Sequence, residues 1–140
     1  MFWQLLKEES MNESHKKGKG ILLVDDDDLC LMTTQRILVG LGYRVTQACD
    51  SLEALKVFRN QPEKFDLIIT DLQMPETNGH RLAVLVHEIN KDIPVIICSG
   101  SERDLCLLKE QGLENSRFLL KPFSKDQLVE AMTVLGAGPD

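Results

Sequence analysis

The chain has 140 residues, 43% hydrophobic and 27% charged, with one Trp and one Tyr. That is the size and balance of one core-forming domain with short tails, not of a disordered or disulfide-stapled chain. The net charge of −6 argues against a nucleic-acid-binding surface, and no stretch approaches the ~18 apolar residues of a membrane span. The expectation is a cytoplasmic domain that contacts neither nucleic acid nor membrane.

Residues 1–19 are expected to be an N-terminal tail or linker. Phe2-Trp3-Gln4-Leu5-Leu6 is too short for a signal-peptide core and is followed by Glu8 and Glu9. Lys16, Lys17 and Lys19 form a solvated basic cluster. Ile21-Leu22-Leu23-Val24 is a continuous apolar run, as a strand buried on both faces requires. Asp28 is expected to cap a helix running to about Leu41, which Gly42 closes from the left-handed conformation. Tyr43 to Ala48 is a more polar strand near a sheet edge. Asp50 and Glu53 open a second helix in capping-box fashion, and it ends before Pro62.

Phe65 to Thr70 is the third strand, ending in Asp71. A loop, Leu72 to Asn78, leads to a helix from Gly79 to Asn90, and Ile93 to Cys98 is the fourth strand. A fourth helix spans Glu102 to Gln111, closed by Gly112. Phe118 to Leu120 is the fifth strand. Ser124 and Gln127 start a last helix ending near Leu135. Residues 136–140 are expected to be a C-terminal tail. The four cysteines, Cys30, Cys49, Cys98 and Cys106, lack metal or redox spacing and are expected to be buried free thiols.

Five strands separated by helices imply a parallel sheet with right-handed crossovers and helices on both faces. In such sheets ligands bind outside the carboxyl ends of the strands. There the chain carries Asp25 to Asp28 after the first strand, Asp71 after the third, Ser99 after the fourth and Lys121-Pro122 after the fifth. Crowded carboxylates repel one another, and a hard divalent cation resolves that conflict with oxygen ligands. A lysine opposite them can meet a phosphoryl oxygen as a point charge. The set suits phosphoryl transfer, where positioning and charge neutralisation supply the catalysis.

Ile21-Leu-Leu-Val-Asp25-Asp26, Asp66-Leu-Ile-Ile-Thr-Asp71-Leu-Gln-Met74-Pro75 with Gly79, and Phe118-Leu-Leu-Lys121-Pro122-Phe123 closely resemble the receiver domain of two-component response regulators, over residues 20–135. The resemblance implies a flavodoxin-like doubly wound sheet of strand order 2-1-3-4-5, with the connection from Gly112 to Phe118 longer than is usual in that family. It implies that Asp71 is the phosphoacceptor, taking the group from a phosphohistidine of a sensor histidine kinase or a histidine phosphotransfer protein. Asp26 would bind Mg²⁺ (or Mn²⁺) directly and Asp25 mainly through water, with Asp71 and the backbone carbonyl of Gln73 completing the set. Lys121, joined to Pro122 by a cis bond, would contact the phosphoryl oxygens. Ser99 and Phe118 would take the places of the switch hydroxyl and switch aromatic, remodelling the face of the fourth helix, fifth strand and fifth helix for an output partner.

Such a domain is no enzyme beyond its own phosphorylation and dephosphorylation. It would be a stand-alone regulator or a segment of a hybrid sensor kinase. Two alternatives compete. Asp25-Asp-Asp27 also fits a haloacid-dehalogenase-type phosphatase with Asp25 as nucleophile, and the same fold could serve as a phosphorylation-independent docking module.

Overall fold

The computed structural model describes residues 19–140. The expected linker up to residue 18, with His15, therefore lies outside the described residues. Strands β1 (Gly20–Val24), β2 (Arg44–Ala48), β3 (Leu67–Asp71), β4 (Val95–Ser99) and β5 (Ser116–Leu120) alternate with helices α1 (Asp28–Gly40), α2 (Ser51–Asn60), α3 (Gly79–Ile89), α4 (Glu102–Glu110) and α5 (Lys125–Val134). Every pairing is parallel, and the order is β2-β1-β3-β4-β5. This is the doubly wound, flavodoxin-like sheet expected.

The strand sequences explain the layering. Side chains alternate across a strand, and β1 is apolar at every position because both its faces are covered. Ile21 and Leu23 join Ile69, Ile96 and Cys98 on one face, packed with Leu31 and Leu38 of α1 and Leu128 and Met132 of α5. Leu22 and Val24 join Ile68 and Ile97 on the other, packed with Phe58 of α2, Leu82 and Val86 of α3 and Leu105 of α4. Each fully buried Leu or Ile contributes about 1.5–3 kcal/mol relative to exposure. β2, at the edge, has only Ala48 fully buried.

The helix starts follow their capping residues, with one correction. Asp27, not Asp28, caps α1: its carboxylate accepts from the N–H groups of Leu29 (2.9 Å) and Cys30 (3.4 Å). The Asp27 N–H is itself held by Asp25 Oδ1 at 3.0 Å, which sets the chain direction one residue early. Asp50 caps α2 through the Glu53 N–H at 2.7 Å, but Glu53 turns to the Cys49 N–H and thiol instead of closing a box. Ser124 and Gln127 form the complete capping box. Gly42 and Gly112 take the positive φ values, 98° and 66°, that end α1 and α4.

Three further expectations change. β5 begins at Ser116, so the strand itself takes up the connection that looked long; Asn115, at φ 52°, accepts from the Val95 N–H and donates to the Asp92 carbonyl. The chain beyond Leu135 turns at Gly136 and buries Ala137, whose carbonyl accepts the Tyr43 hydroxyl at 2.7 Å. All four cysteines are free, yet only Cys98 is buried; Cys30 is half-buried, and Cys49 and Cys106 are exposed. Cys49 lies beyond the end of the edge strand, and Cys106 sits on the outward side of α4.

Candidate functional site

β1 and β3 are neighbours, but β1 also pairs with β2, so the strand order reverses there and the adjoining loops part to leave a crevice. Asp25 and Asp26 follow β1 and Asp71 ends β3. One carboxylate oxygen from each lies within 4.8 Å of the others. Lys121 follows β5, its backbone N–H bonded to the Ser99 carbonyl at 2.8 Å. From there its Nζ reaches Asp25 Oδ2 at 2.7 Å and Asp71 Oδ1 at 3.3 Å. Asp25 is buried, Asp71 half-buried and Asp26 exposed.

The electrostatics follow from that packing. Burial is the main influence on Asp71 and raises its carboxyl above the ordinary value of 3.8; Lys121 pulls it back, and Asp25 and Asp26 add to the rise. Burial also opposes the charge on Lys121, but its hydrogen bond to Asp25 and the charge of Asp71 outweigh this and hold the ammonium above the lysine range. Beneath them burial pushes the Cys98 thiol up to about 12, which leaves it inert.

Asp25, Asp26, Asp71 and Lys121 are thus brought together. Ser99, 1% exposed at the end of β4, has its Oγ occupied by the Ser101 N–H at 3.0 Å. Phe118 is half-buried, opposite Ile97 in register and packed on the core shared by α2, α3 and α4. Gln73 is exposed, and its side chain reaches away to α4, donating to Asp104 Oδ2 at 2.7 Å. The Lys121–Pro122 bond is cis, as expected. Asp27 is turned out of the pocket to cap α1, so the phosphatase pattern loses its second aspartate.

Two residues gain importance: Gly79, until here only a motif residue, and Asp104, which the sequence did not single out. Gly79 starts α3 directly beneath the site: its N–H donates to the Leu72 carbonyl at 2.9 Å, and a Cβ there would collide with the Asp71 carbonyl oxygen. The fixed Gly after the loop was visible, but not the reason for it. Asp104 lies 31 residues from Gln73, and no local signal announces their contact.

The carboxyl edge of this doubly wound parallel sheet thus carries three clustered carboxylates, two of them, Asp25 and Asp71, bridged by Lys121, an arrangement of the kind found in signalling and phosphoryl-transfer domains. The family model for the response regulator receiver domain matches residues 21–133, and the chain belongs to that family. It is a receiver domain of the two-component response regulators.

Among curated relatives, the two-component response regulator ARR14 of Arabidopsis thaliana is 32% identical over 84% of this chain and 31% of its own length. ORR24 of Oryza sativa is 35% identical over 79% of this chain and 18% of its own. The chain thus spans less than a third of the length of these relatives. Among solved structures, a receiver domain from Clostridium thermocellum superposes with a TM-score of 0.75 at 27% identity, covering 84% of this chain and 93% of that one. The response regulator TrrA of Thermotoga maritima, in complex with Mg²⁺ and BeF, gives 0.74 at 28%, covering 84% and 98%. The receiver domain of the hybrid histidine kinase CckA gives 0.70 at 29%, covering 83% and 97%.

Proposed function

We propose that Asp71 is the phosphoacceptor, in a folded unit that begins at residue 20 with residues 1–19 as its linker. A carboxylate oxygen of Asp71 forms a bond to phosphorus while the P–N bond of a phosphohistidine breaks, its electron pair passing to the imidazole nitrogen. The observation that carries this reading is the position of Lys121, which contacts Asp71 and Asp25 from a third strand. Lys121 is placed to meet the incoming phosphoryl oxygens, and Asp25 holds its ammonium charged in that direction.

The donor set fits a hard divalent cation. Three carboxylate oxygens lie within 4.8 Å of one another, a crowding of hard oxygen ligands that a divalent cation relieves. Asp26 and Asp71 would hold Mg²⁺ (or Mn²⁺) directly and Asp25 through water. The Gln73 carbonyl, which accepts no backbone hydrogen bond among the described residues, would complete the set. When bound, the cation neutralises charge that develops on the phosphoryl oxygens.

Phosphorylation adds close to two charges and three acceptor oxygens. Ser99 is placed to turn its hydroxyl towards one of them, and Phe118 to follow into the space behind. The output face of α4, β5 and α5 carries exposed Leu120 and Val134, which suits a protein partner. The donor, a sensor histidine kinase or a histidine phosphotransfer protein, has access beside Lys121, where a groove of about 340 Å³ is lined by Leu29, Ile37 and Phe123. In this reading the domain is a signalling module, not an enzyme acting on other substrates. Its setting is the cytoplasm, where free thiols persist.

The test is incubation with acetyl phosphate and Mg²⁺ followed by intact-mass measurement. Wild type is expected to gain one phosphoryl group, lost on mild alkaline treatment as an acyl phosphate is. Asp71→Asn is expected to gain none. Uptake by a folded Asp71→Asn, or none by folded wild type, overturns the assignment; the second result would favour a docking module.

A further inference from the structure

The loop after Asp71 is anchored on both sides of Gln73 but not at it. The Leu72 N–H donates to the Cys98 carbonyl at 2.8 Å, and the Thr77 carbonyl accepts the Ser51 hydroxyl at 3.1 Å. Gln73 itself uses neither backbone group in a hydrogen bond among the described residues. What holds it is its side chain, with Nε2 2.7 Å from Asp104 Oδ2. An amide N–H donating to an ionised carboxylate is among the stronger hydrogen bonds available.

Asp104 lies in the first turn of α4, and that turn is tied to the far side of the pocket as well. Its N–H donates to Ser101 Oγ at 3.2 Å, and the Ser101 N–H donates to Ser99 Oγ at 3.0 Å. Hydrogen bonds therefore run from the buried Ser99 through the start of α4 to Gln73, tying together the loops that follow β3 and β4.

We infer that Asp104 is a positioning residue for the cation site: by gripping the Gln73 side chain it sets the direction of the otherwise untethered Gln73 carbonyl. This inference rests on the reading of the acidic cluster as a Mg²⁺ site. Groups standing behind a metal ligand fix its orientation, and their loss commonly costs about 10–100-fold in affinity. The grip also makes the start of α4 one body with the loop that carries the ligand. Asp104 additionally contributes its own negative charge, so charge and grip must be separated.

The experiment is calorimetric titration of the full chain with MgCl₂, each variant first shown to unfold cooperatively without metal. Asp104→Ala and Gln73→Ala are each expected to weaken Mg²⁺ binding by about tenfold, the lower end of that range because the bond is partly exposed. The double variant is expected to bind no more weakly than either single one, since both break the same bond. Asp104→Asn keeps an acceptor oxygen without the charge and is expected to stay close to wild type. A loss in Asp104→Asn as large as in Asp104→Ala, or additive losses in the double variant, overturns the inference. So does unchanged affinity in Asp104→Ala and Gln73→Ala while Asp26→Ala abolishes binding, and that result leaves the cation site standing. No binding by wild type overturns both.

Discussion

Lys121 Nζ stands between Asp25 Oδ2 at 2.7 Å and Asp71 Oδ1 at 3.3 Å, so one ammonium joins the carboxylates that close two adjacent strands. Lys121→Met keeps the aliphatic stem and strands those charges together. The expected loss of stability is about 1–3 kcal/mol in Mg²⁺-free, low-salt buffer. That is below the ~3–5 kcal/mol for a wholly buried pair, because the lysine is partly exposed. Added Mg²⁺ should narrow the gap by supplying the missing positive charge. Urea unfolding with and without Mg²⁺ measures both effects; equal stability of the two proteins without metal would sink the argument.

Asp71→Asn is expected to act on stability in the opposite direction. Burial raises the Asp71 carboxyl above 3.8 in the folded state, so folding favours its protonated form. The stability it contributes is present below the unfolded value and is lost as pH rises through the folded one. At pH 7 the ionised side chain therefore opposes folding. Without metal, the Asn variant should be more stable than wild type at pH 7, and its advantage should vanish below about pH 3.8. Chemical denaturation across that range is the measurement, and a variant less stable at pH 7 would contradict the sign.

Gly79→Ala sets two effects against each other. Alanine is favoured over glycine within a helix by about 1 kcal/mol. Here, however, its Cβ would meet the Asp71 carbonyl oxygen and lie 3.0 Å from Thr70 Cγ2. Backbone cannot yield as a side chain would, so the variant is expected to lose about 1–3 kcal/mol, the usual cost of overpacking. Its rate of phosphorylation by acetyl phosphate should also fall, because the atom displaced belongs to Asp71. A stabilised variant with unchanged uptake would show that α3 has room to move.

Tyr43 offers a pH test remote from the site. Burial, with a smaller effect from Asp140, raises its hydroxyl to about 12. The protonated form is the one folding favours, so its contribution is intact below pH 10 and disappears as pH rises towards 12. Tyr43→Phe loses the bond to the Ala137 carbonyl and is expected to cost about 0.5–1.5 kcal/mol at pH 8. Between pH 10 and pH 12 wild type should lose its advantage, followed as the difference in denaturation midpoint. A difference that stays constant over that interval would contradict the assignment.

The parts of this protein legible from its residues were those written locally. Apolar runs marked β1, β3 and β4 because both faces of a central strand are buried, and Ser124 with Gln127 announced the start of α5. The meeting of Asp25, Asp26, Asp71 and Lys121 followed because the fold rule says where strand ends go. What escaped needed information from elsewhere in the chain. Any of four consecutive aspartates can cap a helix, and only the bond from the Asp27 N–H to Asp25 decides among them. The burial of Ala137 depends on Tyr43, 94 residues earlier. Cys49 and Cys106 have apolar neighbours in sequence, but their exposure is set by the edge of the sheet and the outer side of a helix. Gln73 could be read as a backbone ligand, whereas its side-chain partner Asp104 could not be read at all.

The Tyr43–Ala137 contact also arranges the two ends of the domain. Lys19, Gly138, Pro139 and Asp140 line one cavity with Leu41 and Tyr43, at the pole of the sheet opposite the carboxylates. Among the described residues, Lys19 and the last three, Gly138 to Asp140, are therefore neighbours, as in a pendant hung from a single stalk. Both points of attachment of the folded unit thus lie away from Asp25, Asp26 and Asp71.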